Sequence, residues 1–152
     1  MAAKNKPVPT KGLFVTQASS VVPPNTPTVQ GAQRDGVIFP SASRIVAVYT
    51  SDAYFAPDVT GLRLYINVTT NGGGTLVVKV QTFDQASQTW ADIPLGTTGS
   101  ITTDVMGTLT IHTGQIETAG VDVSQPIGVL WRAIATVTAA TMVFSVGGEY
   151  LV

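Results

Sequence analysis

The strongest constraint on the fold is the alternation of apolar and polar side chains in residues 61–70, GLRLYINVTT. Leu62, Leu64, Ile66 and Val68 share one parity, and arginine, tyrosine and asparagine separate them. A period of two residues puts an apolar row on one face of a β-strand and matches no face of an α-helix. The chain therefore contains at least one half-buried strand.

A second alternating run, TLVVKVQTF in residues 75–83, follows after the turn sequence NGGG in residues 71–74. Glycine adopts the positive φ of a tight turn without a steric penalty. We therefore predict that residues 61–83 form a β-hairpin.

The rest of the sequence after residue 40 has the same texture, with short β-branched runs and turn residues between them. WADIPL in residues 90–95 is a short strand that Pro94 assigns to a sheet edge, and the pair Gly147–Gly148 indicates a bulge. We expect seven or eight strands and no long amphipathic helix, that is, an all-β antiparallel sandwich or jelly-roll-like barrel over residues 41–152. The other runs are SRIVAVYT, TLTIHT, VLWRAIATVT and TMVFSVGGEYLV.

Residues 1–40 differ from this body in composition. Prolines, which cannot donate to a β-ladder, recur through the segment, and residues 1–34 carry four basic residues and no acid. Isolated, the segment could not bury enough apolar area to offset its ordering entropy. We predict an extended N-terminal arm held by other protein chains, with its charge directed at an acidic surface. The alternative, that the charge asymmetry is accidental, stays open.

The residues expected to make the arm contacts are its cations and its apolar and proline positions. They are Lys4, Lys6, Lys11, Phe14, Val15, Val21, Val22, Pro23, Pro24, Arg34 and Phe39.

Composition argues against several classes of function. Charged residues make up 11% of the chain, against about 25% in typical soluble domains, and scattered cations do not form the dense basic patch of a nucleic-acid interface. The apolar stretch 128–148 alternates and contains Arg132, so we interpret it as two strands and predict no membrane association. There is no cysteine, no sequence-local carboxylate dyad and one histidine, His112, so we predict neither catalysis nor a cofactor or metal.

Two aromatic residues are candidates for a ligand platform, Trp90 and Tyr65. An aspartate that opens a turn before an exposed tryptophan, as in FDQASQTW, also occurs in sandwich modules that bind sugars. In the alternative interpretation, Asp84 caps its own turn through an Asx bond and Trp90 packs across the sandwich. Trp131 is expected in the core.

Three stretches resemble a family of small all-β structural proteins of tailed bacteriophages, of the head decoration (cement) type. The resemblance covers residues 40–152 and is one of pattern. It implies a β-sandwich virion protein on the outer surface of the capsid, bound to the major capsid protein and to copies of itself as a trimer or other homo-oligomer. A minor tail or tail-tip protein and a carbohydrate-binding module are the alternatives. The stretches are FPSASRIVAVYTSDAYFAPDVTGLRLYINVTT, LVVKVQTFDQASQTWADIPLG and PIGVLWRAIATVTAATMVFSVGGEYLV.

Overall fold

The computed structural model describes residues 15–16 and 35–152. Within these ranges the regular elements are eleven β-strands, and no helix occurs. The strands are β1 Val15–Thr16, β2 Asp35–Arg44, β3 Ala47–Thr50, β4 Tyr54–Phe55, β5 Gly61–Thr70, β6 Thr75–Asp84, β7 Thr89–Thr97, β8 Val105–His112, β9 Asp122–Val123, β10 Leu130–Thr138 and β11 Met142–Leu151.

The strands form two sheets that pack face to face. Sheet A has the order β1-β4-β10-β6-β7, with β3 also paired to β10, and sheet B has the order β2-β11-β5-β8-β9. If the two-residue strands β1, β4 and β9 are set aside, each sheet has four antiparallel strands, in the orders β3-β10-β6-β7 and β2-β11-β5-β8. Every connection between consecutive members of this set changes sheet except β6 to β7. This is the eight-stranded jelly-roll topology, and it confirms the predicted fold class.

The predicted hairpin over residues 61–83 is wrong, although the turn inside it is real. Gly72 and Gly73 both have positive φ, and the Gly74 amide donates to the Asn71 carbonyl at 3.0 Å. However, β5 pairs with β8 and β11 in sheet B, whereas β6 pairs with β7 and β10 in sheet A. The turn therefore arches from one sheet to the other, and the apolar rows of the two strands face each other across the core.

The turn between β6 and β7 is the hairpin of the fold. Its end is closed by the pair Asp84 and Thr89, and β7 lies at the edge of sheet A, as Pro94 predicted. The Ala86 amide donates to the Asp84 carboxylate at 2.9 Å, and the Ser87 hydroxyl donates to the same carboxylate. The expected Asx bond is thus confirmed.

The core contains the inward rows of both sheets and an aromatic cluster at one end. Trp131 is fully buried, stacks on Tyr54 with a centroid distance of 4.7 Å and donates from Nε1 to the Tyr150 hydroxyl. Burial raises the pKa of Tyr54 to about 12. The core assignment of Trp131 is confirmed.

Strand β2 requires a correction to the predicted arm. It begins at Asp35 and pairs with β11, so the sandwich starts before the expected boundary at residue 40. Phe39, predicted to bury itself on an adjoining chain, is 6% exposed and packs edge-on against Phe144 in its own core. The physical reason is a pairing irregularity beside Gly147, which lets Ile38 and Phe39 both turn inward.

Candidate interaction sites

Most of the predicted arm residues lie outside the described residues. They are Lys4, Lys6, Lys11, Phe14, Val21, Val22, Pro23, Pro24 and Arg34.

Val15 is the one predicted arm contact before residue 35 whose backbone is described. It pairs with Phe55, and Thr16 pairs with Tyr54, so β1 adds an antiparallel step to the β4 edge of sheet A in its own chain. At this point the segment before the sandwich pairs with its own chain.

The two candidate platform aromatics lie on opposite outer faces of the sandwich. Trp90 belongs to β7 of sheet A, and Tyr65 belongs to β5 of sheet B. Stacked sheets are separated by about 10 Å, so one small ligand cannot contact both rings. The structure therefore separates this candidate pair into two independent positions.

Trp90 is half-buried in an apolar row that crosses the outer face of sheet A. Its ring contacts Phe83 edge-on at a centroid distance of 5.2 Å. Trp131 of β10 pairs with Thr82 of β6, so the preceding residue of β10, Leu130, lies beside Phe83. Leu130 also pairs with Phe55 of β4, and this extends the row to Phe55. The expectation that Trp90 packs across the sandwich is wrong, because the alternation of β7 places Ile93, and not Trp90, in the core.

A polar network lies next to this row. The Arg132 guanidinium carbon is 4.3 Å from the Trp90 ring centroid, and Arg132 Nε donates to Gln81 Oε1 at 2.9 Å. Gln81 in turn donates to Asp92 at 2.6 Å, and Lys79 forms an ion pair with Asp92 at 2.8 Å. The hydrogen bonds from Lys79 and Gln81 lower the pKa of Asp92.

Tyr65 is simpler in its surroundings. Its hydroxyl donates to Glu149 Oε2 at 2.7 Å, and Arg63 lies 4.0 Å from the same oxygen. The hydrogen bond with Tyr65 is the main cause that raises the pKa of Arg63. Tyr65 pairs with Gly147 of β11, which has no side chain. The Tyr65 ring therefore lies beside an open position on the outer face of sheet B.

The remaining candidate for chemistry, His112, lies at the end of β8. One ring nitrogen, Nε2, is 3.2 Å from the Thr60 hydroxyl. Among the described residues no three histidine, aspartate or glutamate side chains converge as metal ligands would. Over the same ranges no helix is long and apolar enough to cross a membrane.

Sequence reasoning missed two features of the outer surface. The first is the apolar row of Phe55, Leu130, Phe83 and Trp90. It can be recognised only when the register of three strand pairs, β4–β10, β10–β6 and β6–β7, is known. The second is a cleft at the edge where β7 and β8 lie, lined by Gly107 and the loop 98–101. The alternation within each strand predicts on which face each of these residues lies. It does not predict which residues lie next to one another, because they come from distant parts of the chain.

Comparison with known proteins gives no match: no family model matches the chain, and no curated protein is significantly similar to it.

Proposed function

We propose that this protein is a virion structural protein that decorates and stabilises the head of a tailed bacteriophage. The observation that carries the proposal is a jelly roll whose first long strand follows 34 residues that contain four cations and no acid. Jelly rolls are frequent in viral capsid and lectin domains. Because one fold serves many functions, the N-terminal segment is the feature that favours assembly.

The surface of the sandwich suits packing against other protein. Several large apolar side chains are more than half exposed, among them Ile45, Val46 and Val48 at the crossover from β2 to β3. With only 11% charged residues, few side chains oppose dehydration of such a surface. Burial of apolar area on a neighbour stabilises by about 25 cal/mol per Å², and repetition over a shell multiplies modest contacts into high avidity.

The proposed mechanism is mechanical. The sandwich sits on the outer surface of the capsid, in contact with the major capsid protein, and its N-terminal segment contacts neighbouring copies. Each copy then resists the separation of the subunits beneath it, and the homo-oligomer distributes that resistance.

The test uses heads that lack the protein and measures the temperature at which they release DNA. Added full-length protein should raise that temperature, and a chain without residues 1–34 should not, while its circular dichroism spectrum stays that of a β-protein. The four-fold variant K4Q/K6Q/K11Q/R34Q separates charge from length. Equal protection by the truncated and full-length chains would refute a role for the segment.

The position of the protein on the particle separates this proposal from a minor tail or tail-tip protein. Electron microscopy of particles with an epitope tag at the C-terminus should show label on heads. Label confined to tails would favour the tail alternative.

A carbohydrate-binding module is the second candidate, because Trp90 stands beside hydrogen-bonding side chains on the outer face of sheet A. Arg132 already covers part of that ring at 4.3 Å, so a sugar would have to displace it or use the other side. Binding on a glycan array that disappears in Trp90→Ala would support this candidate, and an array without hits would remove it.

A further inference from the structure

An open cleft lies between the two sheets at the β7/β8 edge of the sandwich. It has a volume of about 330 Å³ and reaches down to Ile66, which is fully buried. Ile101 and Val121 supply apolar walls, and Met106, whose side chain is exposed, borders the opening. Gly107 pairs with the inward-facing Ile66, and a Cβ added at Gly107 would meet nothing within 4 Å. The core side of β8 is therefore unfilled at this point.

The same cleft exposes part of the edge of β8. Strand β9 pairs only with Thr110 and Ile111, and the Thr110 amide donates to the Val121 carbonyl. Because backbone groups of alternate residues point to the same side of a strand, those of Met106 and Thr108 point away from β5 as well. No strand among the described residues pairs with β8 over 105–109 on that side.

The loops that border the cleft are acidic. Residues 98–107 and 115–122 contain Asp104, Glu117 and Asp122 and no lysine or arginine; Asp122 lies close enough to Arg63 of β5 to help raise the pKa of that arginine, so Asp104 and Glu117 are the acids that Arg63 does not oppose. Residues 1–14 have the opposite character, with three lysines and no acid. The two parts of the chain are therefore complementary in charge.

The prolines of residues 1–14 also suit an edge position. Pro7 and Pro9 are two residues apart, so in an extended strand both missing donors point to one side. The other side keeps the amides of Lys6, Val8 and Thr10. Such a strand can pair along one edge and presents no donors from its two prolines to a further strand.

We propose that residues 1–14 of a second copy of this chain bind in the cleft as a strand added to the free edge of β8. In this arrangement Pro7 and Pro9 lie toward the void at Gly107, and lysines lie toward the acidic loops. The inference deepens the proposed function and rests on its claim that the N-terminal segment contacts neighbouring copies.

The geometry favours a second copy over the same chain. Strand β1 leaves residues 1–14 at the β4 edge of sheet A, and the cleft is at the opposite edge, beyond β10, β6 and β7. Fourteen extended residues span roughly 45 Å, which exceeds the width of a sheet whose strands are about 4.8 Å apart, so length alone permits either arrangement and the edge at which the segment starts decides. An adjacent copy placed edge to edge presents its cleft directly to the segment, whereas the segment's own cleft lies across the width of the sandwich. The resulting contact is head-to-tail, which closes into a ring or continues as a filament.

Disulfide trapping tests the occupant, because the chain contains no cysteine. Lys6→Cys full-length protein is mixed under oxidising conditions with a tagged Val121→Cys chain. We expect a covalent dimer of one tagged and one untagged chain. Val48→Cys, at an exposed valine of the opposite edge, is the matched control and should give at least tenfold less of it.

A double variant, K6C/V121C, decides between one chain and two. Disulfide-linked oligomers are expected, and a bond formed only within single chains would overturn the proposal. So would equal cross-linking of the Val121→Cys and Val48→Cys chains.

Filling the cleft is the second test. Gly107→Leu should weaken self-association of the full chain at least tenfold by analytical ultracentrifugation, with its β-sheet spectrum retained. Gly147→Leu is the matched control, since Gly147 is also within a strand of sheet B and an added Cβ meets only an ordinary contact at 3.6 Å. Unchanged association in Gly107→Leu would overturn the proposal.

The two proposals fail in different ways. If full-length protein leaves heads unprotected but the trapped dimer forms, the proposed function is refuted and the cleft assignment stands. If Gly107→Leu associates and protects heads as the parent chain does, the cleft assignment is refuted and the proposed function stands.

Discussion

Two arginines of this sandwich lie over an aromatic ring at the same distance, yet their surroundings differ. The Arg44 guanidinium carbon is 4.3 Å from the Phe144 ring centroid, and that of Arg132 is 4.3 Å from the Trp90 ring centroid. Arg44 is 8% exposed and donates to three backbone carbonyls, whereas Arg132 lies on the outer face and donates to one side chain, that of Gln81. Burial and hydrogen bonding, and not the ring distance, separate the two pairs.

The three carbonyls that Arg44 binds explain its place in the fold. Two belong to Pro40 and Ala42 of its own strand, and the third belongs to Phe144 of β11. These bonds hold the irregular part of β2, where Pro40 removes a donor, against the neighbouring strand. Arg44 therefore supplies side-chain hydrogen bonds where the backbone pairing of β2 with β11 is irregular, immediately before the crossover to β3.

The largest effect is expected from Arg44→Met. The substitution keeps most of the apolar stem but removes the donor from one buried carbonyl, that of Phe144, and from two partly buried ones, so we expect a loss of about 3 kcal/mol in the free energy of unfolding. Urea unfolding followed by circular dichroism measures it. Arg44→Lys keeps the charge but cannot reach all three carbonyls, so its free energy of unfolding should lie between those of the parent chain and Arg44→Met. A loss below about 0.5 kcal/mol for Arg44→Met would show that the buried bonds contribute little net stability.

The region around Arg44 also shows what the sequence could not predict. SRIVAVYT looks like one β-branched strand, but Arg44 ends β2 in sheet B and Ala47 begins β3 in sheet A. Residues 61–83 repeat the lesson, because alternation identifies the buried face of β5 and β6 but does not identify their partners. Both strands bury one face whether they pair side by side or face each other across a core. Strands and inward rows were therefore predictable from local pattern, and sheet membership was not.

A smaller effect is expected at the outer-face arginine. Arg132→Met should cost about 0.5–1 kcal/mol, since a cation–π contact at a partly exposed site contributes about that much. A double-mutant cycle with Trp90→Leu isolates the pair, and its coupling energy should stay below 1.5 kcal/mol. A coupling as large as the Arg44→Met loss would show that the outer face excludes water, as a site covered by a partner would.

The candidate sites were less predictable than the fold, and Trp90 shows the reason. Its neighbours on the outer face come from β6 and β10, so no local pattern brings Phe83 and Arg132 beside it. Asp84, by contrast, bonds within its own turn, and its role followed from six residues of sequence. The cleft at Gly107 depends on a side chain that is missing from a strand interior, and only the facing sheet shows that nothing else fills the space.

The smallest expected effect is the pH dependence of stability that Asp92 contributes, and it distinguishes the surroundings of Arg132 from those of Arg44. Gln81 links Arg132 to Asp92, whose pKa is lowered by the hydrogen bonds from Lys79 and Gln81, whereas the carbonyls around Arg44 do not titrate. The unfolded chain binds a proton at Asp92 more tightly than the folded one, so this contribution is present above the unfolded pKa of about 3.9 and is lost as the pH falls through the lower, folded pKa.

Solvent screens this partly exposed pair, so we expect only a few tenths of a kcal/mol. Unfolding free energies at about pH 6 and about pH 2.5 should differ less in Asp92→Asn than in the parent chain, with Asp58→Asn, at an exposed turn position, as the matched control. If Asp92→Asn retains the full acid dependence of the parent chain, the outer-face network stabilises the fold no more through Asp92 than through a neutral hydrogen bond. The position of Arg132 would then depend on the Trp90 ring and on the hydrogen bond to Gln81.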